Sequence, residues 1–226
     1  MKRFLLVYLI FLLTVSCVHK ETFKVNGIVP DTTFEGSKVY FVALDGPITK
    51  DVDSTIIIDG KFSFVKKADT MCIKILRVPV RYPNGVEDLV TVLEAGTIEV
   101  SLSSNSHGQG TRLNNKLKEW KDMKRSHDSI QSTLYTQKAM EGISQATIDS
   151  LMRYSVILKQ EYRSYVTSLM NENLYNGIGL LLFKVYYHDF PPEERKRILD
   201  LTGNLYRDND EQLKGMIDND ASLKNL

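Results

Sequence analysis

The amino-acid sequence predicts an α+β protein, an N-terminal antiparallel β-sandwich followed by an α-helical segment of four or so helices. Three observations predict it. Up to about residue 110 the apolar residues alternate or run in short β-rich stretches, and from 111 onward they recur every three or four. Asp59-Gly60 stands between two β-rich runs, where a two-residue turn needs positive φ at both positions. Pro191-Pro192-Glu193-Glu194 is a helix start, because proline is free in a first turn and acids face the positive end of the dipole.

The strands follow in order. Phe23, Val25, Gly27 and Val29 alternate with Lys24 and Asn26, and Pro30-Asp31 breaks the run. Lys38 to Leu44 is apolar enough for a strand covered on both faces, and Asp45-Gly46-Pro47 closes it. Thr55 to Val65 reads as a hairpin about Asp59-Gly60, with Phe62 and Phe64 on one face toward the core. Met71 to Val78, Glu87 to Leu93 and Thr97 to Leu102 complete about seven strands, punctuated by Tyr82-Pro83-Asn84-Gly85 and Glu94-Ala95-Gly96. Ser103 to Gly110 is a polar, glycine-containing link.

The helical spacing starts at Leu113 and continues through Leu117, Trp120, Met123, His127, Ile130 and Leu134. Ser144 or Thr147 caps a second long helix, whose apolar stripe includes Ile148, Leu151, Met152, Leu158, Tyr162, Tyr165, Val166, Leu169 and Met170. Two such helices pack as a hairpin. Asn176-Gly177 opens an apolar stretch to Tyr187, expected to be the buried helix, and Asp210 starts a last short helix through Ile217.

The ends of the chain add a compartment. Met1-Lys2-Arg3 is a positive n-region, Phe4 to Leu13 an apolar run, and Thr14-Val15-Ser16-Cys17 a segment of small or β-branched residues ending in cysteine. That is the pattern of an export signal, and its apolar run is about half the roughly 20 residues a spanning helix needs. The tetrapeptide resembles a lipobox, with Thr14 where leucine is usual, so Cys17 is the expected site of lipidation. A cleaved signal without lipid and an uncleaved anchor are the alternatives. The expected organisation is a lipoprotein signal peptide over 1–16, a lipidated cysteine and tether over 17–22, a β-sandwich over 23–110 and a helical region over 111–226. The lipid would hold the protein in the membrane of a cell envelope, the outer membrane being expected.

With 42% hydrophobic and 25% charged residues the chain can bury a core. The formal charge is +1, part of it carried by Lys2 and Arg3, and no block of like charge marks a nucleic-acid partner. Once Cys17 is lipidated, Cys72 is the remaining thiol, which excludes an internal disulfide, a Cys-x-x-Cys centre and a cysteine zinc site. Cys72 is expected to be a buried strand residue.

No constellation points to catalysis, a cofactor or a metal. His19, His107, His127 and His188 share no ligand spacing, and His127 falls on its helix's apolar stripe as a satisfied structural histidine. Asp51 and Asp53 share a strand face suited to calcium, but a solvated edge is the simpler reading. Glu87-Asp88 and Asp208-Asn209-Asp210-Glu211 are expected to be solvated as well. Gly108-Gln109-Gly110 is too short for a phosphate loop. Tyr162, Tyr165, Tyr186 and Tyr187 suit core packing, or else an aromatic binding face.

Phe23-x-Val25-x-Gly27, Val52-Asp53-Ser54, Asp59-Gly60-Lys61-Phe62-Ser63-Phe64 and Leu93-Glu94-Ala95-Gly96-Thr97-Ile98 together resemble the domain of unknown function 4369. Gly110-Thr111-x-Leu113-Asn114 resembles the junction where that domain passes into a helical extension. The resemblance implies a domain that stands ahead of a thioredoxin-like module in thiol–disulfide interchange lipoproteins of Gram-negative envelopes. The chain stops at Leu226, where such a module would begin, and has no Cys-x-x-Cys, so the family's redox residues match no position. The expectation is therefore a non-catalytic envelope lipoprotein that binds a protein partner. The alternative is an accessory of a thioredoxin-like system without a redox centre of its own.

Overall fold

The computed structural model describes residues 21–223. Cys17, His19 and the whole leader lie outside the described residues.

Eight strands form two four-stranded sheets. They are β1 (Thr22–Ile28), β2 (Lys38–Ala43), β3 (Ser54–Ile56), β4 (Lys61–Lys67), β5 (Asp69–Arg77), β6 (Leu89–Leu93), β7 (Gly96–Ser101) and β8 (His107–Gln109). The first sheet has the order β4-β1-β7-β8 and the second β3-β2-β5-β6. Between them lies a core that includes Phe23, Val25, Phe41, Phe64, Leu76 and Ile98. Phe41 stacks on Phe64 with ring centroids 5.2 Å apart, and Phe62 and Phe64 are both buried, as their alternation requires.

Pairing departs from the sequence reading in three places. β1 and β7 run parallel, with Phe23 opposite Gly96 and Ile28 opposite Ser101, while every other pairing is antiparallel. The cause is the Glu94-Ala95 corner, which carries the chain from one sheet to the other so that β7 enters beside β1 in the same direction. The polar link contains β8, which closes the first sheet's edge against β7. The Asp59-Gly60 turn is present, with φ of +50° and +67°, and Ile58 and Lys61 exchange two backbone hydrogen bonds of 3.0 Å. Its two strands then diverge into different sheets, β3 onto β2 and β4 onto β1. The turn is thus a corner of the sandwich, held by Glu35, whose two carboxylate oxygens accept from Asp59 N and Gly60 N at 3.0 Å each. Gly60→Val should destabilise the fold by about 1–3 kcal/mol, since a β-branched residue resists positive φ. Thermal unfolding checks it, and an unchanged midpoint would mean that the corner does not limit stability.

Six α-helices follow among the described residues, more than the four or so expected. They are α1 (Arg112–Lys138), α2 (Gln145–Asn171), α3 (Gly177–Val185), α4 (Pro192–Thr202), α5 (Leu205–Asn209) and α6 (Glu211–Asp218). Ser144 caps α2 by accepting from Thr147 N, Asn176 caps α3 through Ile178 N, and Asp210 caps α6 through Leu213 N. The helix α3 is buried from Gly177 to Lys184, as its apolar sequence demands. Its core joins Leu113, Leu117, Met170 and Ile178 to Ile73 and Val92 on the outer face of the second sheet. The molecule therefore has three layers: sheet, sheet and helices.

Helices α1 and α2 run antiparallel, with Lys116 near Glu172 at one end and Gln131 bonded to Ser155 further out. Each has 27 residues, or about 40 Å of helix. The first turns of α1 pack on β6 and β8. Further out the pair covers itself, and Leu134 is the one side chain of its distal half that is buried among the described residues. Among the described residues no helix is long and apolar enough to cross a membrane.

Candidate functional site

The start of α1 is built from the motif residues noted above. Asn114 is buried, and its amide accepts from Val92 N at 3.0 Å and donates to Val92 O at 2.8 Å, so it satisfies the free edge of β6 as another strand would. Glu94 accepts from Leu113 N at 2.6 Å, meeting a free donor of the helix's first turn. Asn115 accepts from Gly110 N at 2.8 Å. These residues hold helix to sheet, and that is a structural task.

A cleft of about 300 Å³ lies beside this junction, floored by Leu89, Val90 and Leu117 and bounded by Trp120. Its charges are matched. Glu87 accepts from Lys121 Nζ and Arg125 Nη2 at 2.9 Å each and from Ser106 N at 3.0 Å. Lys118 pairs with Asp122 at 2.7 Å, Lys124 with Asp128, and Arg77 with Asp88 at 2.7 Å. Glu87 and Asp88 are therefore engaged, not merely solvated as the sequence suggested. Paired charges leave this cleft little net pull on an ionic ligand.

The opposite flank of α1 differs. A cavity of about 330 Å³ lies among α1, α2 and the end of α3. His127 stacks on Tyr162, with centroids 4.3 Å apart and planes 17° from parallel. The Tyr162 and Tyr186 hydroxyls are 2.7 Å apart, and burial, then this bond, pushes the Tyr162 phenol up. His127 Nδ1 lies 3.2 Å from Asp128 Oδ1, whereas Nε2 is buried with no hydrogen-bond partner among the described residues. The same holds for Trp120 Nε1, which approaches Tyr162 without forming a bond. His127 is thus only half the satisfied structural histidine expected. Of the tyrosines, Tyr187 is core, while Tyr162 and Tyr186 line the cavity.

A third recess, about 500 Å³, runs along the distal α1–α2 hairpin. Leu134, Tyr135, Leu151, Met152 and Val156 floor it, and Lys138 and Lys159 stand at its rim. Tyr135 is 77% exposed, Met152 49% and Val156 53%. No carboxylate lines it, and neither lysine is ion-paired among the described residues. The sequence reading placed Met152 in the core. The missed signal is that α2 carries Met152, Tyr154, Val156 and Ile157, too many apolar residues for one buried stripe.

The remaining candidates are dispersed. Cys72 is half-buried, not buried, in β5, because its strand lies at the rim of a cavity beside Lys184, and burial pushes its thiol up. Asp53 pairs with Lys66 and Asp51 is exposed, and both lie ahead of β3, not on the strand face that the sequence reading gave them. His107 lies on β8, its Nδ1 3.2 Å from Asn105 O, and His188 packs edge-on against Tyr187. Asp210, expected to be solvated, is instead ion-paired with Lys184 at 2.7 Å because α3 and α6 meet there. Among the described residues no three His, Cys, Asp or Glu side chains are grouped to hold a metal ion.

The fold defines a β-sandwich with a helical extension. Residues 23–117 match the family described as "Domain of unknown function (DUF4369)". The match ends at Leu117, just past the motif residues that fasten α1 to β6, so those motifs serve the junction. No curated protein and no solved structure matches the chain.

Proposed function

We propose that the protein is a non-catalytic interaction module of the cell envelope, held at the outer membrane by a lipid on Cys17, which docks a protein partner through the distal α1–α2 hairpin. The exposed apolar recess about Tyr135, Met152 and Val156 carries this reading. Soluble proteins leave such surface open chiefly where something binds. An amphipathic helix is the segment that fits an elongated groove between two helices. Lys138 and Lys159, without acids beside them, favour a partner helix flanked by Asp or Glu.

The test is photocrosslinking in the native host from a photoreactive residue at position 152, with metabolic palmitate labelling of the same cells. The expected adduct maps to an acidic amphipathic helix and falls several-fold in the Lys138→Glu, Lys159→Glu double variant. Palmitate label should be present on the wild type and absent from Cys17→Ala. An adduct indifferent to the charge reversals would overturn the docking surface, and label on neither protein would overturn the anchor.

A further inference from the structure

We infer that α2 pairs antiparallel with the α2 of a second copy of this chain, along the exposed face that carries Arg153, Tyr154, Ile157 and Glu161. This face is separate from the docking recess. At 3.6 residues per turn, Tyr154 and Ile157 lie about 100–160° around the helix from Met152 and Val156, which floor the recess. The inference is therefore independent of the proposed docking of another protein.

The spacing of the face comes first. Thr147, Ser150, Tyr154, Ile157, Glu161, Ser164 and Ser168 follow one another three and four residues apart, and each is exposed. That alternation keeps one seam turned toward a neighbouring helix along the whole length of α2. The neighbour is not α1. The helix turns Ser155 toward α1, where it bonds Gln131, and buries Val166, Leu169 and Met170. Tyr154 and Ile157 are each 50% exposed and belong to neither hydrophobic core. They form the apolar centre of the seam.

Charge then selects the occupant. Arg153 and Glu161 are the charged residues of this face, and neither is ion-paired among the described residues. Arg153 stands four residues before Ile157 and Glu161 four after it, about 6 Å along the axis in each direction. An antiparallel copy that crosses at Ile157 brings each Arg153 level with Glu161 of the other copy, so the pair is made twice, and Ile157 meets itself on the two-fold axis. A parallel copy would instead set Arg153 against Arg153 and Glu161 against Glu161. Ser150 and Ser164, each seven residues from Ile157, keep the seam low on both sides of the crossing. The face is thus its own complement. One helix from each copy makes an interface at the small end of the range, so the dimer should form at about tens of micromolar.

Ile157→Cys in a Cys72→Ser chain places one thiol on the two-fold axis. The chain is expressed in the native host in two copies with different epitope tags, and the cells are oxidised with diamide. A disulfide-linked species carrying both tags should appear, and Val156→Cys, turned toward the recess, should give about fivefold less of it. Arg153→Glu and Glu161→Arg, both at exposed positions, should each lower the yield from Ile157→Cys about fivefold, and the two together should restore most of it. Absence of the double-tagged species in a chain of unchanged thermal midpoint, or an equal yield from Val156→Cys, would overturn the pairing. Single reversals that leave the yield unchanged would overturn the antiparallel arrangement, because a parallel pair faces like charges before and after each reversal.

Discussion

Lys184→Met should lower the stability of the protein by about 3 kcal/mol, within the range for breaking a buried ion pair from one side. Lys184 is 8% exposed in α3 and meets two carboxylates, Asp45 from the loop after β2 and Asp210 at the cap of α6. Asp210 is 11% exposed and Asp45 49%. Methionine keeps most of the stem's volume, so packing survives and the charge is what is lost. Asp45 can turn to water, but Asp210 stays committed to the Leu213 N–H at 2.7 Å and is left buried without its cation. Asp210→Asn added to Lys184→Met should recover more than half of the loss, because asparagine caps a helix as well as aspartate does and carries no charge. Urea unfolding of the two single variants and the double variant measures the cycle. Additive losses would show that the pair is not coupled and that the destabilisation comes from elsewhere in the contact between sandwich and helices.

That pair also shows where sequence reading stops. The Asp59-Gly60 turn, the caps at Ser144, Asn176 and Asp210, and the buried helix opening at Gly177 were legible because each rests on a few neighbouring residues. Asp45 and Lys184 are 139 residues apart, and Glu87 and Arg125 are 38 apart, so nothing local distinguished these carboxylates from solvated ones. Strand pairing was hidden for the same reason. Alternation identifies β1 and β7 as strands but says nothing of their parallel register, and β8 hid in a glycine-bearing run too short to alternate. The cavity at His127 was half visible: the spacing put His127 and Tyr162 on the inner faces of two helices, yet the unpartnered Nε2 is a property of the packed structure. The docking recess was obscured by the opposite error, in which Leu151 and Met152 were assigned to the packed stripe of α2 and Val156 was passed over.

Gly110→Ala should cost about 3 kcal/mol or more. Gly110 sits between β8 and α1 at φ +135°, a backbone conformation that L side chains rarely adopt. A Cβ there would lie 2.3 Å from Thr97 O and 3.1 Å from Ile98 Cα. Both are backbone atoms of β7, a strand in the middle of its sheet, so no side chain can rotate aside to make room. Relief requires that β8 and the start of α1 move away from β7, and that motion would carry Asn114 off the edge of β6 and Leu113 off Glu94. The loss should therefore appear first at the junction, not uniformly. Amide hydrogen exchange in Gly110→Ala should accelerate at Val92 and Leu113 ahead of the β1 and β4 amides, while the distal α1–α2 hairpin keeps its own rates. Uniform acceleration across both layers would mean that sandwich and helices unfold as one unit and that the junction has no separate stability.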